Sequence, residues 1–226
     1  MNEPILIPIG GFEVPDVYLV TLGVTLLLGA LAALSGRALK VEGFGLWQTA
    51  IEAFVAWIEG TVREVVDEDP APYVPLIATL MVFIAVCNLL ALIPVVRPPT
   101  AELSTGVALA LVVFVAVPYY GIRRLGLWGY LRGYARPNPL LIPFNLLGEV
   151  TRTLALAVRL FGNVMSGVMI GAVILMIAGV LVPIPLLFLG ILTGLIQAYI
   201  FGILTAVYIA AALQVGRRHP SEGPHD

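Results

Sequence analysis

Arg159 lies within LALAVRLFGNVMSGVMIGAVILMIAG, one of the most apolar stretches of the chain. A guanidinium keeps its proton at any biological pH, and at the centre of a helix in lipid it costs about 2.5–3.5 kcal/mol on insertion scales. It therefore needs water or an anionic partner. Around it Asn145, Glu149, Arg152, Arg159, Asn163 and Ser166 recur at steps of four, three, seven, four and three, which places them on one face of a helix. Further along, Thr193, Gln197, Thr205 and Tyr208 share a second face, with Phe201 in the gap. Two such faces in a hairpin would line one hydrated path or one contact surface. Glu149 and Arg152, three apart, can neutralise each other, which leaves Arg159 without an acid. The nearest other carboxylate, Glu102, falls at the outer end of an earlier apolar segment. The pattern predicts a counter-charge from another polypeptide, an intramembrane Asp or Glu. The alternative is that Arg159 snorkels or caps backbone carbonyls within its own bundle.

The elements that must carry these faces follow from composition. The chain has 226 residues, 60% hydrophobic and 12% charged, which is more apolar surface than a soluble core can bury. Five apolar segments are expected, A (16–36), B (73–96), C (103–121), D (141–179) and E (183–214), in a single integral membrane domain spanning 1–226. The fold class is all-α. Nine of twelve Lys and Arg fall on one side of that topology, against Arg97 alone on the other. The positive-inside rule puts residues 1–15 outside and the tail 215–226 in the cytoplasm. The acidic amino end lacks the basic start and cleavage site of a signal peptide and is read as retained. Residues 44–66 carry Trp47, Ala50, Ile51, Phe54, Val55, Ile58 and Val62 against Gln48, Glu52, Glu59 and Arg63, an amphipathic helix for the cytoplasmic interface. A sixth span would bury Glu52, Glu59 and Arg63 there. Segments D and E exceed thirty residues, roughly 50 Å of helix against a hydrocarbon core of about 30 Å, so as a continuous hairpin over 141–214 they must tilt strongly. Pro183 and Pro185 mark the turn. Cys87 is the single cysteine, which excludes an intrachain disulfide.

The run Arg159-Leu160-Phe161-Gly162-Asn163, followed across a proline hairpin by Gln197 in LIQAYIFGILTAVYIAAAL, resembles subunit a of the membrane (Fo) sector of F-type ATP synthases. Asn88-Leu89-Leu90, Ile93-Pro94 and Pro99-Thr100-Ala101-Glu102-Leu103 extend the resemblance over about residues 15–213. It implies a stator subunit whose arginine, here Arg159, faces a ring of acidic hairpin subunits (the c-ring) between two offset half-channels. Gln197 would orient Arg159, and Asn163 would hydrate the path; both can equally be ordinary interhelical hydrogen-bonding residues. The other implied partners are peripheral-stalk b-type subunits, the F1 sector and membrane lipid. The implied location is the inner (plasma) membrane of a bacterium. No cofactor is implied beyond the translocated proton or sodium ion, and ATP chemistry falls to other subunits.

The chain departs from the resemblance at Val168 and Gly190, where many family members carry a Glu/His pair. Glu102, Asn88, Thr105 and Ser166 are the substitutes expected to line the outer half-channel; Glu149, Arg152, Thr193 and Tyr208 complete the candidate lining. Glu102 reads equally as a solvated loop acid. The coupling ion stays open between proton and sodium. RRLGLWGYLRGYARP, between C and D, combines basic and aromatic residues, and an interfacial belt explains it better than nucleic-acid binding. No phosphate loop, metal-ligand cluster or nucleophile–base pair is visible. Two rivals remain: a secondary transporter binding an anionic solute at Arg159, which would be expected to show internal repeats, and a membrane scaffold, which leaves the buried cation unexplained.

Overall fold

The computed structural model describes residues 6–9, 12–38, 45–92, 98–134, 142–178 and 183–214. Four of its helices are long and apolar enough to cross a membrane: α1 (Asp16–Ala38), α4 (Leu103–Tyr134), α5 (Ile142–Ala178) and α6 (Pro183–Gln214). A shorter apolar helix, α3 (Val74–Leu89), follows the amphipathic α2 (Leu46–Arg63), which is not among the spans. The chain is an all-α, multi-pass membrane protein. One addition precedes α1: β1 (Leu6–Ile9) pairs antiparallel with β2 (Phe12–Pro15), Ile9 opposite Phe12. The signal was present in two short apolar runs separated by Gly10-Gly11.

Segments A, D and E match α1, α5 and α6 to within two residues at each end. Within segment B the α-helix stops at Leu89, and residues 93–96 lie outside the described residues. At 16 residues α3 is about 24 Å long, and a 3-10 turn at Leu90–Leu92 ends it. The chain is described again at Pro98, with a second 3-10 turn at Pro99–Ala101. Segment C is longer, because α4 continues past Arg124 and bends at Gly126, whose φ of 73° lies in the left-handed region that glycine tolerates. Beyond the bend Tyr130 folds back onto Gly121, where a Cβ would sit 2.5 Å from the Tyr130 ring, and Trp128 is exposed. Residues 179–182, where the hairpin turn was expected, Arg97 and residues 215–226 lie outside the described residues.

The core forms where α6 packs against α3, α4 and α5, around Ile77, Ile84, Val113, Leu156, Leu160, Phe201 and Ile209, each at most 1% exposed. Small residues allow this closeness. A Cβ at Gly202 would lie 2.4 Å from Met81 Cγ and 3.4 Å from Ile77 Cγ2. In α2 only the carboxyl half is covered: Ile58 and Val62 are buried, while Leu46, Phe54 and Val55 stay exposed. Trp57 of α2 stacks on Tyr199 of α6 with ring centroids 5.6 Å apart. The charged side of α2 satisfies itself through Arg63 to Glu59 at 2.8 Å and Gln48 to Glu52 at 2.8 Å. In α1, which buries only Val17 and Val24, the Thr21 and Thr25 hydroxyls donate to the carbonyls of Val17 and Thr21, so neither is left bare in apolar surroundings.

Gly202→Ala should overpack the α3–α6 contact and destabilise the protein by about 1–3 kcal/mol. Gly60→Ala in α2, where nothing stands within 4 Å of the new Cβ, should be neutral or stabilising. Thermal denaturation of both variants in detergent checks the contrast.

Candidate ion-translocation site

Arg159 is the eighteenth residue of α5, about 25 Å from either end of the helix. Leu156, Ala157 and Leu160 turn into the core, whereas Leu154, Val158 and Arg159 are exposed, so the guanidinium leaves the bundle sideways through an apolar flank. Among the described residues it makes no hydrogen bond and no ion pair. The acid that this cation needs is not supplied by the chain's described residues.

Two contacts fix how α5 and α6 run past each other. Asn163 Nδ2 donates to the Thr193 carbonyl at 3.4 Å, and the Arg152 guanidinium lies 5.6 Å from the Tyr208 ring centroid. The helices are therefore antiparallel. Asn163 is four residues beyond Arg159 and Thr193 four before Gln197, which puts Arg159 and Gln197 at one level. They do not touch through a hydrogen bond: Gln197 is 5% exposed and turned inward, and its Nε2 has no partner. An orienting bond from Gln197 to Arg159 is thus absent from the isolated chain.

Glu149 and Arg152 do not form the close ion pair expected of them. No salt bridge joins them among the described residues; Arg152 lies over Tyr208, and Glu149 is half-buried nearby. The Thr193 hydroxyl donates within its own helix, to the Leu189 and Gly190 carbonyls at 2.9 and 3.0 Å. Thr205, fully buried, does the same to Phe201.

Asn88 forms a latch with Thr100 and Gly194. Its Nδ2 donates to the Gly194 carbonyl at 2.9 Å, and its Oδ1 accepts from Thr100 Oγ1 at 2.7 Å, all of it buried. Gly194 is required here, because a Cβ would lie 2.8 Å from Asn88 Cβ. The latch ties the end of α3 to α6 and to the turn at Pro99–Ala101. Just beyond, a Cβ on Gly106 of α4 would stand 3.0 Å from the Ala157 carbonyl, two residues from Arg159, and the same 3-10 turn packs against α5. Glu102, exposed between these contacts, is therefore held beside the central turns of α5. From the sequence it belonged to a remote outer end; α5 simply extends far beyond the start of α4. No salt bridge links Glu102 to Arg159. Thr105 is buried one residue before Gly106, and Ser166 is exposed on α5. Helical spacing gives no sign of what Thr100, Gly106 and Gly194 do, because their roles depend on contacts between distant segments.

A family model described as "ATP synthase A chain" matches residues 17–210, from the start of α1 to the last turns of α6. The chain belongs to this family. It is similar to several curated relatives. It is 48% identical over 219 residues to ATP synthase subunit a 2 of Pelobacter propionicus, covering 96% of each chain. It is 51% identical over 172 residues to ATP synthase subunit a 2 of Acaryochloris marina, covering 76% of this chain and 74% of the relative. Against ATP synthase subunit a 1 of Chlorobaculum parvum it is 51% identical over 175 residues, 77% of each. Within the ATP synthase A chain family, this member has exposed Val168 and Gly190, on the carboxyl half of α5 and the amino half of α6, where the described residues carry no titratable side chain.

Asn88→Ala would leave the Thr100 hydroxyl and the Gly194 carbonyl without their partner in a buried setting, a loss of about 1–3 kcal/mol. Heat denaturation of the purified protein should show the drop.

Proposed function

We propose that this chain is the stator subunit of the membrane (Fo) sector of a rotary ATP synthase, which passes protons or sodium ions to and from a rotor ring. The observation that carries the reading is Arg159, exposed and unpaired halfway along α5 on an apolar flank. A carboxylate on each ring subunit would be its moving partner. As the carboxylate arrives, the fixed cation favours the ionised form and drives off the bound proton or metal ion; it also blocks direct leakage between the two half-channels. Lysine would be a poorer choice, since a buried ammonium can lose its proton and a guanidinium cannot.

Glu102, Thr105, Asn88 and Ser166 would line the outer approach, with Glu102 as its carboxylate. Glu149, Arg152, Thr193 and Tyr208 would serve the hydrated face of the hairpin. Gln197 holds an unused donor at the level of Arg159, ready for a water or a ring group that arrives with the partner. The c-ring, b-type stalk subunits and the F1 sector complete the assembly, and ATP is handled outside this chain. By the positive-inside rule the distribution of basic residues favours a cytoplasmic tail and an amino terminus outside a bacterial inner membrane.

The transporter alternative is less well supported. Arg159 stands on an open flank and lines neither of two small clefts in the bundle, one beside Trp57, Met81 and Gly202, the other beside Asp67, Leu213 and Gln214. An anionic solute would need enclosure.

In the assembled complex in vesicles, Arg159→Ala should lower ATP-driven ion uptake about 100-fold or more, the scale on which removing one preorganised charge acts, with assembly intact. Uptake at the normal rate would refute the assignment. Gln197→Leu should reduce uptake by about tenfold or less without lowering thermal stability, because it removes a buried donor that has no partner in the chain. Repeating the uptake series with and without sodium across pH identifies the ion.

A further inference from the structure

The turn between α2 and α3, Asp67-Glu68-Asp69-Pro70, brings three acids to one end of the bundle. Asp69 is used locally, where its Oδ1 accepts from the Ala71 amide at 3.2 Å. The other two reach different helices. Glu68 Oε2 accepts from Arg124 Nε of α4 at 3.0 Å, with the Glu68 side chain only 15% exposed. Asp67 Oδ2 accepts from Gln214 Nε2, on the last residue of α6, at 3.4 Å. Tyr120 of α4 adds a hydrogen bond from its hydroxyl to the Pro72 carbonyl at 3.2 Å, and its ring meets that of Tyr73 edge-on at 5.0 Å. Val66 and Tyr73, on either side of the turn, are buried, so the turn itself is anchored.

This matters because α5 is little covered by the rest of the bundle along its span. Its partner α6 is gripped by α3 at Gly194 and Gly202, and the Gln214 bond is the grip at its far end. We propose that Asp67 and Glu68 form a positioning clamp that joins α4, just before its bend, to the end of α6 and thereby holds Arg159 and Gln197 in place against the sideways force of a moving ring. The inference rests on the rotary reading given above. The clamp residues touch neither the ion nor the ring; they act through α4 and α6.

The test uses the whole complex in vesicles and reads ATP-driven ion uptake divided by ATP hydrolysis, for Glu68→Arg, Arg124→Glu and the double exchange. Each single variant should lower the ratio about three- to fivefold, and the double exchange should restore it to within about twofold, since the pair is the interacting unit. Single variants with a full ratio, or a double variant as poor as the singles, overturn the clamp. If charge reversal prevents assembly, Glu68→Gln and Arg124→Gln take its place. Each should then lower the ratio about twofold, with the double no worse than either; a full ratio in both, or additive losses, overturns it. If the unaltered complex shows no ATP-driven uptake at all, the rotary reading fails instead, which separates the two outcomes.

Discussion

A positive charge that cannot be neutralised, placed midway along a helix in apolar surroundings, governs this molecule. Arg159 cannot lose its proton, and the described residues of the chain give it no anion. Everything that packs near it keeps it there without satisfying it. Leu156, Ala157 and Leu160 anchor the same turns of α5 in the core, so the arginine side must face outward. A bare cation on a lipid-facing flank is unfavourable for an isolated subunit and useful for one that meets a passing acid.

The remainder of the fold is an arrangement for holding a sparsely covered helix pair. α6 is the link: its inner face is clasped by α3 at Gly202 and Gly194, and α4 meets α5 backbone to backbone at Gly106 and Ala157. Gly106 lets two main chains come within van der Waals contact, Gly194 and Gly202 leave room for the side chains of Asn88 and Met81, and the Asn88–Thr100 pair supplies buried hydrogen bonds to this region. In lipid such small-residue contacts and interhelical hydrogen bonds replace the hydrophobic drive that organises soluble cores.

Much of this was legible in the sequence because membrane segments leave strong marks. Apolar length located α1, α5 and α6, and helical spacing of apolar and charged residues located α2. Arg159 stood out by the cost of its charge, and its level with Gln197 follows from the hairpin. What was not legible depended on contacts between distant segments. Nothing local says that Arg152 prefers the Tyr208 ring to Glu149, that Gln197 turns inward, or that Glu102 ends beside the centre of α5. The bend at Gly126 was hidden by a run of aromatics and arginines that reads as an interfacial belt, and the strands before α1 by their shortness.

The brevity of α3 has a consequence for the main chain. At about 24 Å it falls short of a hydrocarbon core of about 30 Å, so polar backbone beyond its end needs partners that protein supplies. The 3-10 turn at Pro99–Ala101 meets part of that need within itself, the Ala101 amide donating to the Pro98 carbonyl at 3.0 Å and the Glu102 amide to the Pro99 carbonyl at 3.1 Å.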